Sequence, residues 1–89
     1  MKSRLTSDFR AAFARLPDAV KIQARKAHRL WRQNPYHPSL HFKRVHEREP
    51  LYAVRVSLGW RAVGLWEDNI VTWFWIGSHA EYDKLLRGI

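Results

Sequence analysis

The apolar residues of this chain change their period once, near residue 40. Phe9, Ala12, Phe13 and Leu16 recur at helical spacing behind a Thr6 or Ser7 cap, with Asp8 suited to the first turn. Pro17 and Asp18 fit the first turn of a second helix, whose stripe is Val20, Ala24, Ala27 and Trp31. That helix should end near Gln33, because Asn34 precedes Pro35 and a residue before proline disfavours helix. Asn34 to Ser39 then reads as a proline-punctuated connector.

Beyond it the pattern becomes extended. Leu40 to His46 predicts a first long strand, Leu51 to Val56 a second, Trp60 to Trp66 a third and Ile70 to Ile76 a fourth. Between them lie the polar turn Glu47 to Pro50, a tight turn at Ser57 to Gly59 and the hairpin turn Glu67-Asp68-Asn69. The fourth strand is expected to break at Gly77, and a polar cluster of Ser78, His79, Glu81, Tyr82 and Asp83 leads into a short closing helix. Residues 1 to 5 are either a short edge strand or a frayed end. Turns this short force successive strands to be antiparallel neighbours, since a parallel crossover needs about a dozen residues or more. The predicted class is therefore α+β: two N-terminal helices packed on an antiparallel β-meander of about four strands, with a short C-terminal helix. There is no internal repeat and no second domain, so residues 1 to 89 form one unit.

Composition adds two constraints. Five Trp, four Phe and three Tyr supply enough apolar bulk for a small core, and the lack of cysteine excludes disulfides, thiolate metal sites and a cysteine nucleophile. The first residues lack the apolar core of a signal peptide, and the longest apolar run is strand-sized, so the expectation is a soluble cytoplasmic chain with no membrane contact. Sixteen Lys and Arg against eight Asp and Glu leave a formal charge of +8, which points to a polyanionic partner such as nucleic acid or an acidic protein. Lys21, Arg25, His28, Arg29 and Arg32 share one side of the second helix, a pattern that an ordinary solvated face also explains.

The candidate chemistry narrows by exclusion. His37 and His41 are four apart, but Pro38 opposes the helix that would align them, and no His-Glu-x-x-His run exists, so no metal site is expected. No small-molecule cofactor is expected either: the glycines are too scattered for a phosphate-cradling loop. Ser78 beside His79 lacks a nucleophile elbow, and neighbours on a strand point to opposite faces. What remains is basic: Lys43, Arg44 and His46 on the first strand, Arg55 on the second, Arg61 on the third and His79 after the fourth. Arg55 and Arg61 flank the same turn. A three-residue loop would set them opposite each other, and a two-residue loop on opposite faces. Tyr82, three residues after His79, shares its site if the segment turns helical at once. Such a set suits RNA cleavage, in which the 2′-hydroxyl is the nucleophile, an arginine takes the phosphorane charge and a histidine moves a proton. His79 equally suits a structural role, fixing the strand's end by a hydrogen bond.

The segments RVSLGWRAVGLW, Arg55 to Trp66, and WFWIGSHAEYDKLL, Trp73 to Leu86, resemble the RelE/ParE superfamily of toxins from bacterial type II toxin–antitoxin systems. The resemblance implies a compact α+β toxin that cleaves messenger RNA in the ribosomal A site without a metal, and a small cognate antitoxin that covers the active face. It implies that Arg61 contacts the scissile phosphate, that His79 does general acid–base work and that Arg55 lies near the RNA. Lys43, Arg44 and His46 match a loosely basic RNA-binding region, and Tyr82 matches an aromatic near the terminal helix. The family also holds members that poison DNA gyrase, so a gyrase-directed toxin is one alternative and a non-catalytic basic binding module another. Lysines that some ribonuclease members carry on the middle strand are absent here, where Leu51 and Ala53 stand. Either Lys43, Arg44 and the histidines replace them, or activity is weak or lost.

Overall fold

A computed structural model describes residues 1–89. The chain runs β1 (Lys2–Leu5), α1 (Ser7–Ala14), α2 (Asp18–Gln33), a 3-10 turn (Pro38–Leu40), β2 (Lys43–Arg44), β3 (Leu51–Ser57), β4 (Trp60–Glu67), β5 (Ile70–Ser78) and α3 (His79–Gly88). Thr6 starts α1, its Oγ1 accepting from the Phe9 amide at 3.1 Å. The sheet order is β1-β5-β4-β3-β2. Strands β2 to β5 form the expected antiparallel meander, and Lys2–Leu5 is an edge strand lying parallel to β5. The connection from β1 to β5 spans the whole domain, so the sheet is mixed.

Two expectations need correcting. Leu40 to His46 is not one long strand: a 3-10 turn occupies Pro38–Leu40, His41 adopts a left-handed backbone at φ 47°, and only Lys43–Arg44 pairs. Proline at the turn's start and a positive φ three residues on both oppose extended pairing. The last strand does not break at Gly77 but continues through Ser78. Gly77 is there for space. A Cβ at that position would sit 2.7 Å from the Trp75 ring.

The sheet buries both faces unequally. Helices α1 and α2 cover one face, where Phe9, Val20, Ala24 and Trp31 meet Val54, Ala62, Val71, Trp73 and Ile76. Trp31 is 1 % exposed and meets Phe42 and Trp73 edge-on, at centroid distances of 5.7 and 5.3 Å. On the other face α3 seats Tyr82 over Ala53 and Val63, with Phe74, Trp75, Leu85 and Leu86 around it. A bulge makes this possible. Val63 pairs with Trp75 but Gly64 with Trp73, so Phe74 is an extra residue, and Phe74 and Trp75 both pack on the α3 side.

His28 fastens α2 to β1 through a 3.0 Å hydrogen bond between its Nε2 and the Ser3 hydroxyl. Burial, and then the charge of Arg32, hold its pKa below the ordinary histidine value. The unfolded chain therefore takes up this proton first as pH falls. The stability His28 allows is present above its unfolded pKa of about 6.5 and is lost as pH drops through it towards the lower folded value. Urea unfolding at constant ionic strength should show stability declining from about pH 7 to pH 5. His28→Gln should flatten that slope, and an unchanged slope would place its source elsewhere.

Candidate functional site

The face of the sheet opposite α1 and α2 carries the basic residues. Ser57 pairs with Trp60 across the two-residue turn Leu58-Gly59. Continued regularly, that register would set Arg61 opposite Val56. An irregularity between Arg55 and Ser57 shifts it by one, so Arg55 and Arg61 are direct partners on one face. The loop is the short one, yet the two arginines still share a face.

Each is held by a different neighbour. Arg61 Nη1 donates to the carbonyls of Ser57, Leu58 and Trp60 at 2.8, 3.2 and 2.9 Å, which braces the turn. Arg55 Nη1 donates to His41 Nε2 at 3.3 Å. Neither has a carboxylate within salt-bridge distance; the ion pairs are Lys21–Asp18 at 4.0 Å and His79–Asp83 at 3.3 Å. Burial depresses the Arg61 pKa, the adjacent Arg55 charge depresses it further, and Tyr82 and Asp83 act the other way. Two cations side by side without an anion form a place where a phosphate is strongly favoured.

The β5–α3 corner supplies the histidine. Ser78 caps α3: its Oγ accepts from the Glu81 amide at 3.2 Å, and Glu81 Oε1 accepts from the Ser78 amide and hydroxyl at 3.2 and 2.9 Å. Those bonds hold the Glu81 carboxyl below its ordinary pKa and occupy the Ser78 hydroxyl. His79 follows as the first helical residue, and its amide donates to the Gly59 carbonyl at 2.8 Å. His79 and Arg61 are thus anchored to one and the same turn. The His79 side chain is half-exposed, with Nδ1 3.3 Å from Asp83 Oδ2, which leaves Nε2 as the nitrogen that faces away from that carboxylate. The Tyr82 ring lies 6.0 Å from the imidazole, with its centroid 6.3 Å from Trp75. Tyr82 is buried, and burial pushes its phenol above the ordinary pKa, partly offset by Arg61. It packs α3 onto the sheet and stays protonated.

The remaining basic residues divide. Lys43 pairs with Ala53 and so lies on the face of Arg55, at its exposed edge. Arg44 pairs with Tyr52 on the other face, and its guanidinium donates to the carbonyls of His46 and Glu47 at 2.9 and 3.3 Å. His46 Nδ1 accepts from the amides of Arg48 and Glu49 at 3.2 and 2.9 Å. The structure therefore gathers Arg55, Arg61, His79 and Tyr82, with Lys43 at the margin, and leaves Arg44 and His46 bracing the turn before β3. Two members escaped the reading of the sequence. Asp83 was signalled by its four-residue helical spacing from His79, whereas nothing local pairs His41 with Arg55.

No group of three or more His, Cys, Asp and Glu side chains lies close enough to hold a metal ion. A cavity of about 300 Å³ lies on the opposite side, between the helices and the sheet, lined mainly by apolar residues such as Phe9, Phe13, Trp31 and Val54, with Arg10, Arg25 and His28 also on its lining. No helix is long and apolar enough to cross a membrane.

The ParE-like toxin domain family matches residues 18–84. Comparison with curated protein sequences finds no match. Among solved structures, the chain resembles the RelB–RelE antitoxin–toxin complex from Methanococcus jannaschii at TM-score 0.73 and 8% identity, over 92% of this chain and 96% of that one. It resembles the archaeal RelE–RelB complex from Pyrococcus horikoshii at TM-score 0.67 and 13% identity, over 86% and 92%. The isolated E. coli RelE toxin aligns at TM-score 0.66 and 15% identity, over 99% and 98%. At these identities the likeness is one of fold.

Proposed function

The chain belongs to the ParE-like toxin family, in the RelE/ParE superfamily of toxin–antitoxin toxins, and from that premise we propose that it is a ribosome-dependent endoribonuclease that cuts messenger RNA and halts translation. The observation that carries this reading is the Arg55–Arg61 pair, held without a carboxylate partner on the sheet face that His79 borders. Paired guanidiniums bind a phosphodiester and take up the extra charge of a phosphorane, the role of an oxyanion hole. His79 moves a proton through Nε2 as general acid or base, while Asp83 at Nδ1 orients the ring and pairs with the imidazolium. Because the nucleophile is the substrate's own 2′-hydroxyl and the charge falls on arginine, the reaction is metal-independent. Lys43 extends the cationic track along the RNA, and Tyr82 sets the position of α3 and hence of His79.

A formal charge of +8 calls for neutralisation when the toxin is silent. The relatives from Methanococcus and Pyrococcus are bound to RelB, and by the same logic this chain is covered by a cognate antitoxin with an acidic contact surface. Messenger RNA in the ribosomal A site as target places the active protein in the cytoplasm.

Induced expression without an antitoxin tests the reading. Incorporation of labelled amino acids should collapse within minutes while DNA synthesis continues, and His79→Ala should relieve the arrest. A gyrase-directed toxin would instead stop DNA synthesis and trigger DNA-damage signalling with translation intact. Growth without any phenotype would leave only a basic binding module.

A further inference from the structure

Three non-glycine residues have a positive φ. Asp68 and Asn69 form the β4–β5 hairpin turn, where that conformation is ordinary. The third is His41, at φ 47° and ψ 39°, at the end of the 3-10 turn, where glycine or asparagine would be accommodated with less strain. A strained backbone kept at an exposed histidine suggests that its side chain is needed where it is.

That place is informative. His41 lies two residues before β2, and the 3.3 Å contact between its Nε2 and Arg55 Nη1 places its ring beside Arg55. Arg55 pairs with Arg61, and Arg61 with Gly77. Arg55, Arg61 and Gly77 thus form one row across the sheet, with the His41 ring against Arg55 at one end and His79 two residues beyond the other. At about 4.8 Å per strand the row spans roughly 10 Å. The two histidines thus stand on either side of the arginine pair, His41 in contact with Arg55 and His79 anchored by its amide to the turn that Arg61 braces.

The two rings are also placed in opposite electrostatic settings. Arginine has only donors, so His41 Nε2, 3.3 Å from Arg55 Nη1, must accept, which requires the neutral ring with its proton on Nδ1. His79 Nδ1 instead faces the Asp83 carboxylate at 3.3 Å. We propose that His41 is the second proton-transfer group of this site, the base that activates the 2′-hydroxyl, with His79 the acid. The assignment rests on the ribonuclease reading above. A phosphate drawing Arg55 to itself uncovers the His41 lone pair. Nε2 then takes the 2′-hydroxyl proton, the 2′-oxygen bonds to phosphorus, the P–O5′ bond breaks and His79 gives its proton to O5′. The products are a 2′,3′-cyclic phosphate and a 5′-hydroxyl. No further reactant is required.

The test uses the purified full chain on ribosomes programmed with a defined message, comparing wild type, His41→Gly, His41→Asn and His79→Ala. Both replacements at position 41 suit the left-handed backbone, so thermal midpoints should hold or rise. Cleavage should fall by about 100-fold or more, binding to the programmed ribosome should persist, and added imidazole should restore part of the cleavage by His41→Gly. A His41→Gly or His41→Asn variant that cleaves like wild type, beside an inactive His79→Ala, overturns the assignment and leaves the ribonuclease reading standing. Loss of binding without imidazole rescue would reduce His41 to positioning Arg55, and also overturns it. A wild-type chain that does not cleave removes both readings.

Discussion

Arg61→Ala is expected to reduce RNA cleavage by about 10²- to 10³-fold, the usual cost of removing one donor from the group that stabilises an oxyanion. Part of that loss is structural. Arg61 Nη1 holds the carbonyls of Ser57, Leu58 and Trp60, and His79 hangs from the same turn through the Gly59 carbonyl. On the proposed mechanism alanine therefore removes a phosphate ligand and loosens the anchor of His79 together. Arg61→Lys separates the two effects. It keeps a positive charge but not the planar fork that serves three carbonyls and a phosphate at once. Its cleavage rate should fall between wild type and alanine, and its thermal midpoint should lie closer to that of alanine. Single-turnover cleavage measured beside thermal unfolding resolves the contributions. An Arg61→Ala variant that folds and cleaves at the wild-type rate would remove the guanidinium from the mechanism.

Trp31→Ala should have the largest effect on folding. The indole is 1 % exposed and packs edge-on against Phe42 and Trp73, with His28 stacked on it at 6.0 Å. Truncating a buried tryptophan costs about 3–5 kcal/mol, because lost burial and an unfilled cavity add. That is a large share of the roughly 5–15 kcal/mol that stabilises a domain. At about 4 °C or more per kcal/mol for a chain of this size, the thermal midpoint should drop by about 12 °C or more. The site of Trp31 adjoins the existing cavity beneath the helices, which already holds about 300 Å³ of space, so collapse onto the gap is poorly supported. Trp31→Phe should cost much less. The indole N–H it deletes has no hydrogen-bond partner, and most of the aromatic contact survives. A midpoint for Trp31→Ala within a few degrees of wild type would mean that the α2–sheet core can repack.

The elements that could be read from the chain were those specified locally. The stripe Val20, Ala24, Ala27 and Trp31 fixes which side of α2 meets the sheet, and Val20, Ala24 and Trp31 are buried there. Asp68 and Asn69 mark a hairpin because both tolerate positive φ. The capping box at Ser78 and Glu81 starts α3 immediately, which brings Tyr82 and Asp83 beside His79. What could not be read depends on distant chain. The pairing of β1 with β5 joins the two ends of the domain. The bulges that align Arg55 with Arg61 and turn both Phe74 and Trp75 to one face are single-residue register shifts with no local signature. Arg44 and His46 looked equivalent to Lys43 in a basic run, yet hydrogen bonds to the backbone of residues 46 to 49 hold them in a turn. Charge along a sequence gives the number of cations. Register decides which of them share a face.

The account stands or falls on whether this sheet face cuts RNA. Primer extension on a reporter message after brief induction, in wild type and in a folded His79→Ala variant, asks this directly. New 5′ ends within the translated region in wild type, absent from His79→Ala, are the predicted result. An intact message in cells arrested by the wild-type chain, or the same cuts in both, would contradict it.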